Sequence, residues 1–363
     1  MFRTRPRKVL EIEKIRKDKT WLLGYLSKSK LDKDISRAES DGDEKRQKEL
    51  LEIAEERECL LRVGEKNTNI YLTWDYMDVY IATSMRESWE FEACFDFVNT
   101  LFKNPKFKDL NLRYFDPTQS FTINRIDKGL IEGLMIKRAA CTIYLAQETE
   151  TLGKDSELAA TLAQGKPVIA YIPRVVKKNL KKYPLKFFWK RFMILKIGEH
   201  LEDFDLQKLI AKKLGCKEEK VSTELEKVIE FLDDYVTKQT YYLYESKEQE
   251  KFLEDKEKLL SKMYDIFEIC ENYYMDKKEI ELSERHPLGI QMALESGVAN
   301  GVLVVRSIRT CAKLLFEILT NSTKFNIEHK EDVTRLVEIT SRSPFRVVTG
   351  NTKLSNSFWN FYL

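Results

Sequence analysis

The sequence predicts an α/β fold: a doubly wound parallel sheet of five strands, with helical additions at both ends. Three observations carry this. Short apolar runs alternate with segments of helical period from Asp78 onward. Residues 136–173, IKRAACTIYLAQETETLGKDSELAATLAQGKPVIAYIP, read as strand, helix and strand. The flanking segments are poor in Gly and Pro, with no Pro between Pro184 and Pro287, which helices explain most simply.

Taken in order, residues 1–70 are heavily charged, with Leu50, Ile53, Ala54, Leu60 and Leu61 at helical spacing. They are expected to form a helical amino-terminal extension, broken by a mobile loop at 36–48. Residues 71–200 hold the α/β pattern. Asp78–Thr83 is the first strand, Glu87–Phe102 an amphipathic helix, and Leu112–Phe115 a second strand ending at Asp116-Pro117. The segment Ile126–Arg138 reads as a helix with Leu130, Leu134 and Ile136 inward. Phe192–Ile197, FMILKI, is expected as the fifth strand. Five strands alternating with helices indicate a flavodoxin-like order.

Residues 201–285 read as helical. Thr223 with Glu226 fits a capping box for a helix from Ser222, with Leu225, Val228, Ile229, Leu232 and Val236 on one face. Another long amphipathic helix is expected at 247–275. Residues 286–363 change character, with Gly289, Gly297 and Gly301, a helix at Ile308–Leu319 and an aromatic tail. They are expected to be a regulatory or interaction segment.

The chemistry concentrates in the strand–helix–strand unit. Cys141–Ala146 is a strand, a helix starts at Asp155 or Ser156, and Val168–Ile172 follows Gly165-Lys166-Pro167. Parallel strands joined this way need a right-handed crossover. Glu157 then falls in the first helical turn, near the carboxyl end of the preceding strand, the edge where open α/β sheets collect ligands. An acid there also satisfies the helix dipole, worth ~0.3–1 kcal/mol, and the dipole is expected to keep the carboxylate charged. Asp155 fits a helix N-cap.

Gly153, Ser156-Glu157-Leu158, Ala159–Ala163 and Gly165–Tyr171 together resemble the nucleoside 2-deoxyribosyltransferase family and the related TIR domains, over roughly residues 78–173. In both, a glutamate at this place attacks or stabilises the anomeric carbon of a ribosyl group. The resemblance implies Glu157 as the catalytic residue of an N-glycosidic-bond-cleaving enzyme, with a carboxylate capturing or stabilising an oxocarbenium ion. The deoxyribosyltransferases carry an aspartate six residues before the glutamate, where this chain has Thr151, and another at Ala140 or Cys141. Both departures favour a substrate whose base leaves without protonation, as nicotinamide leaves NAD+. NAD+ is therefore expected as the substrate, and no cofactor is expected.

In a flavodoxin-like order the loop after the first strand faces Glu157, so Thr83, Ser84 and Arg86 are candidate substrate contacts. Asp116 and Ser120, after the second strand, lie on the same edge, where TIR domains carry a mobile loop. Asp155 and Ser156 complete the set. The alternatives are a deoxyribosyltransferase or base-releasing hydrolase, and a non-catalytic module that binds a nucleotide signal or a partner. By analogy, an NADase with large additions would serve as the effector of a bacterial antiphage defence or toxin system, held in check by self-assembly or a partner protein.

Composition limits the remaining classes. With 43% apolar and 33% charged residues, the 363-residue chain can bury a core under a charged surface. Lys and Arg total 62 against 59 Asp and Glu, so electrostatics give no reason to expect nucleic acid or an anionic membrane as partner. The cysteines lack CxxC spacing and Cys94, Cys141 and Cys311 sit in apolar patterns, as reduced core thiols do. His200, His286 and His329 are too scattered for a zinc site. No apolar run approaches the ~18 residues of a membrane helix, and the first residues lack a signal-peptide core, so a cytoplasmic protein is expected.

Overall fold

Alternation within four short buried strands builds a sheet with two covered faces. In a computed structural model, residues 28–85, 88–147, 152–181, 185–197, 203–238, 256–285, 292–293 and 298–354 are described. The chain opens with α1 (Lys28–Ser40) and α2 (Glu44–Thr73), followed by β1 (Met77–Ala82) and α3 (Ser88–Phe102). Next come β2 (Tyr114–Phe115), α4 (Arg125–Arg138), β3 (Ala139–Leu145), α5 (Leu152–Ala163) and β4 (Val168–Tyr171). Helices α6 (Lys177–Leu180), α7 (Leu185–Ile197), α8 (Phe204–Leu214), α9 (Val221–Lys238) and α10 (Glu257–Ile280) follow. The last elements are β5 (Met292–Ala293), β6 (Val298–Asn300), β7 (Val302–Val305), α11 (Ile308–Leu319), β8 (Phe325–Lys330), β9 (Val333–Glu338) and β10 (Pro344–Thr349).

The first sheet has the order β2-β1-β3-β4-β7 and every pairing in it is parallel. The flavodoxin-like order expected from the sequence is therefore present, with β1 and β3 side by side at its switch point. Its fifth strand is not Phe192–Ile197, which is helical as the end of α7. The strand is β7, paired with β4 through Val168↔Val302 and Tyr171↔Val305. A six-residue apolar run fits a strand or a buried helix equally, and here Phe187, Phe188 and Phe192 continue it as a helix with a buried aromatic side.

By contacts the chain divides into two units, one of Met1–Ile172 with Glu279–Leu363 and one of Pro173–Lys278. This division crosses the expected boundaries at 200 and 286. In the first unit a second, antiparallel sheet has the order β5-β6-β10-β9-β8. The chain passes between the two sheets at Gly301, where an added Cβ would stand 1.6 Å from the Pro344 carbonyl oxygen. Only glycine permits that approach. In the second unit, rings of Phe187 and Phe188 meet Phe267 edge to face, with centroids 5.3 and 4.9 Å apart.

Several local expectations shift. The loop placed at 36–48 is a short turn, because Gly42 (φ +69°) ends α1 and the Asp43 carboxylate accepts from the Arg46 N–H to start α2. Leu130 points outward and is 69% exposed, whereas Ile136 is buried. Helix α9 begins at Val221, so Thr223 lies inside it and is not its cap. Of the helix expected at 247–275, residues 247–255 lie outside the described residues, and α10 runs on to Ile280. Cys94, Cys141 and Cys311 are free thiols in one apolar cluster, as expected. Among the described residues no helix is long and apolar enough to cross a membrane, and no group of His, Cys, Asp or Glu could hold a metal ion.

Candidate functional site

Register decides which side chains reach the site. Tyr80 of β1 pairs with Thr142 of β3, and Ala82 with Tyr144, so these residues share one face of the sheet. Helices α4 and α5 cover that face. Three hydroxyls on it engage α5. The Tyr80 O–H donates to Glu157 Oε1 at 2.9 Å, the Tyr144 O–H donates to Asp155 Oδ1 at 2.9 Å, and the Thr142 and Thr161 hydroxyls lie 2.8 Å apart. Buried tyrosine hydroxyls need partners, and here two carboxylates supply them.

Helix α5 begins at Leu152, earlier than expected, so Glu157 lies in its second turn and Asp155 in its first. Asp155 is not the N-cap, since its carboxylate is taken up by Tyr144. The charge state expected for Glu157 is also corrected. Burial, then the negative charge of Glu132, push its carboxyl up to about 8, outweighing the Tyr80 hydrogen bond and the cations Lys128 and Lys154. Removing water disfavours the charged form more than one hydrogen bond favours it. Glu132 on α4 is itself raised by burial, against the pull of Lys128. Its Oε1 lies 3.7 Å from Lys128 Nζ. Lys154 is buried and donates from Nζ to the Leu145 carbonyl at 3.2 Å.

The remaining candidates are distributed around this core. Thr83 and Ser84 are buried, and both bind Gln147 Oε1, through the Thr83 hydroxyl at 3.0 Å and the Ser84 N–H at 2.6 Å. They tie the end of β1 to the end of β3. Asp116 is buried, and its Oδ1 accepts from the N–H and hydroxyl of Thr118 at 3.0 and 2.6 Å. It holds its own turn. Ser120 lines a cavity of about 200 Å³ walled also by Phe91, Phe115, Phe121, Lys128 and Glu132. The Ser156 hydroxyl donates back to the Leu152 carbonyl at 2.7 Å and faces solvent. Arg86 and Thr151 lie outside the described residues.

The structure thus gathers Glu157, Tyr80, Glu132, Lys128 and Lys154, of which the sequence singled out only Glu157. A tyrosine inside the fully buried strand MDVYIA was a readable signal for Tyr80, because its hydroxyl must find a partner. Glu132 gave none, since an acid four residues after Lys128 reads as an ordinary helix-surface pair.

No family model matches the sequence, and no curated protein or solved structure matches the chain. The functional reading therefore stands on the site itself.

The carboxyl termini of both covering helices are held by cations. Lys166 Nζ donates to the carbonyls of Ile136 and Lys137 at the end of α4, at 3.0 and 2.7 Å. Arg346 of β10 donates to the Gly165 carbonyl at 2.7 Å, and Asn300 to the Leu162 carbonyl at 2.6 Å. Both satisfy the end of α5. Residues from the carboxy-terminal segment therefore fix the helix that carries Glu157.

Proposed function

We propose that the protein cleaves an N-glycosidic bond of a nucleotide, with Glu157 as the catalytic carboxylate and NAD+ as the substrate. The supporting observation is a half-buried glutamate at the β1/β3 edge, held by Tyr80 at 2.9 Å and facing the field of a second carboxyl, Glu132. When the bond from the base nitrogen to the ribosyl carbon breaks, its electron pair leaves with the base and positive charge develops on the ribosyl group. A carboxylate beside that carbon stabilises or captures it. The pyridinium cation of NAD+ is attracted to two carboxyls, and its charge lowers the Glu157 value, ionising it on binding. Restraint of the activity by self-assembly or a partner, as an antiphage defence or toxin effector requires, belongs to the same proposal.

A second reading is favoured by Glu132. A neutral nucleoside needs its base protonated as it leaves, and a carboxyl with a raised value near Glu157 supplies an acid. The test is to incubate the protein with NAD+ and with deoxynucleosides, resolve the products by chromatography, and follow kcat/KM with pH. Nicotinamide release with kcat/KM rising toward a plateau above about pH 8 supports the carboxylate reading. Base release from deoxynucleosides alone, with kcat/KM falling as pH rises, replaces it with the second. No cleavage by wild-type protein, or full activity in a folded Glu157→Gln protein, overturns both.

A further inference from the structure

Helix α4 exposes apolar residues on the side that a surface helix ordinarily keeps polar. Its inward side is apolar as well, with Met135 and Ile136 buried. The outward side carries Ile126, Gly129, Leu130 and Gly133, a spacing of i, i+3, i+4 and i+7 that sets four residues along one stripe. Ile123, just before the helix, extends it. Ile123, Ile126 and Leu130 are 87, 71 and 69% exposed. Single apolar residues on a surface need no explanation, but a row of them along one helix face does.

The two glycines are an independent sign. Glycine is the least favourable helix residue after proline, and this chain's own packing requires neither Gly129 nor Gly133. Among the described residues nothing lies within 4 Å of a Cβ added at either position, and neither has a positive φ. Small residues four apart matter where a second helix approaches, because the side chains at a contact set the distance between the axes. The stripe is therefore shaped for a helix seated on it, with Ile126 and Leu130 beside the glycines.

The charges say which helix fits. Asp127 stands in the first turn of α4, and Lys137 and Arg138 in the last. Arg138 is engaged with the Leu72 carbonyl at 3.1 Å, whereas the Asp127 and Lys137 side chains are exposed. In antiparallel packing the first turn of one helix lies along the last turn of the other, so α4 is its own complement, and the two dipoles oppose. Around a two-fold axis at the level of Ile131, Gly129 of one copy stands opposite Gly133 of the other. Asp127 then lies beside Lys137, twice. At about 100° per residue Arg125 falls on the other flank of the stripe, away from this pair. A patch that complements itself closes as a dimer. We infer that the outward face of α4 is the contact between two copies of this chain, packed antiparallel about Gly129 and Gly133. The association stands without the catalytic reading. Its use as a restraint on activity rests on that reading, since the same helix carries Glu132.

The experiment is sedimentation of the full chain across a dilution series, for wild-type protein and for variants on this face. Leu130→Lys removes an apolar contact, and Gly133→Gln blocks the close approach. Asp127→Lys and Lys137→Asp each set like charges together, and the double swap restores opposite ones. Thermal melts establish that each variant is folded, and Gly133→Gln should melt no lower than wild-type once both are dilute enough to be monomeric. The expected result is a wild-type dimer that dissociates on dilution. Leu130→Lys and Gly133→Gln should weaken it by about ten-fold or more. Each single charge change should weaken it by about three-fold or more, and the double swap should recover the loss. A wild-type chain that stays monomeric throughout overturns the inference, whichever other segment or protein then covers this face. So does a dimer that Leu130→Lys and Gly133→Gln leave unchanged, or a double swap no tighter than the single changes. Dimerisation by a protein that cleaves nothing would keep this interface and remove the catalytic reading. Cleavage by a strict monomer would do the reverse.

Discussion

The two faces of the parallel sheet are built from alternate residues of the same strands, yet they bury different chemistry. On one face Val79, Ile81, Cys141, Ile143, Ile169, Leu303 and Val305 pack with α3 and α11 in an apolar cluster. On the other, Tyr80, Thr142 and Tyr144 bind side chains of α5 through hydroxyls. The apolar face contributes transfer free energy, at ~25 cal/mol per Å² buried. The polar face buries the rings of Tyr80 and Tyr144 as well and in addition specifies geometry, because each hydroxyl has one proton to donate in one direction. A sheet that needed only stability would alternate into apolar residues on both sides. The hydroxyl-bearing side is the one that presents Glu157, so the two faces divide support from chemistry.

The comparison predicts its largest effect on the apolar side. Ile143→Ala, at a fully buried position, should lower stability by about 2–5 kcal/mol, as large-to-small core changes do. Denaturant melts measure this, and the folded fraction should keep its activity. A cost below ~0.5 kcal/mol would mean that this face is not the supporting one.

The polar side predicts a change of opposite sign. The Glu157 carboxyl sits at about 8 in the folded chain, against ~4.3 in an unfolded one. Between those values the folded state holds more protons, so this group's stabilising contribution, complete below pH ~4, declines as pH rises through 8, by at most ~1.4 kcal/mol per pH unit. Glu157→Gln keeps an acceptor for the Tyr80 hydroxyl and removes the ionisation. It should therefore be more stable than wild-type at pH 8, by about 1–3 kcal/mol, and show little gain at pH 4. Melts at the two pH values compare them, and a variant less stable at pH 8 would remove the buried-charge account.

How far the sequence carried this division depends on the range of the interactions. The unit from β3 to β4 was readable because two apolar runs flank a helix and Gly165-Lys166-Pro167 marks its end. Helix α11 was readable with the bounds Ile308–Leu319 because its apolar period is strong and Ser307 caps it. The fifth strand was not, since β7 joins β4 from 131 residues further along the chain, counting Tyr171 to Val302. A nearer apolar run, Phe192–Ile197, drew the assignment. Glu157 was readable through its local pattern, but its charge state depends on Glu132, 25 residues earlier, and on burial that only packing creates. Leu130 was misplaced because a helix of weak apolar period does not say which side faces the sheet.

The Tyr80 hydroxyl offers a sharper probe of the polar face. Its hydrogen bond favours the charged form of Glu157 and opposes burial. Tyr80→Phe should raise the Glu157 value further, by about 1 unit, since a hydrogen bond to a charged group is worth ~1.5–3 kcal/mol and the neutral form keeps part of it. Titration of the carboxyl carbon by NMR reads the shift directly. The rising limb of kcat/KM should move to higher pH with it. An unchanged titration would separate Tyr80 from the control of Glu157.

Lys128 provides the smallest effect, and its size tests whether the polar face is shielded. The residue pulls the Glu157 carboxyl down by charge alone and the Glu132 carboxyl by charge and a hydrogen bond, and its own side chain is 50% exposed. Solvent weakens a charge in that position, so an exposed pair of this kind contributes only ~0.2–1 kcal/mol. Lys128→Met should therefore raise the Glu157 value by a few tenths of a unit, roughly the lower end of that range. The shift should shrink in 1 M salt, where the screening length falls to ~3 Å. The Tyr80→Phe shift should survive the same salt, because a direct hydrogen bond inside the fold is not screened. If Lys128→Met moves the titration as far as Tyr80→Phe and salt leaves it unchanged, then Lys128 acts from within a closed site. The polar face would then be ruled by a charge pair, and its hydroxyls would be secondary.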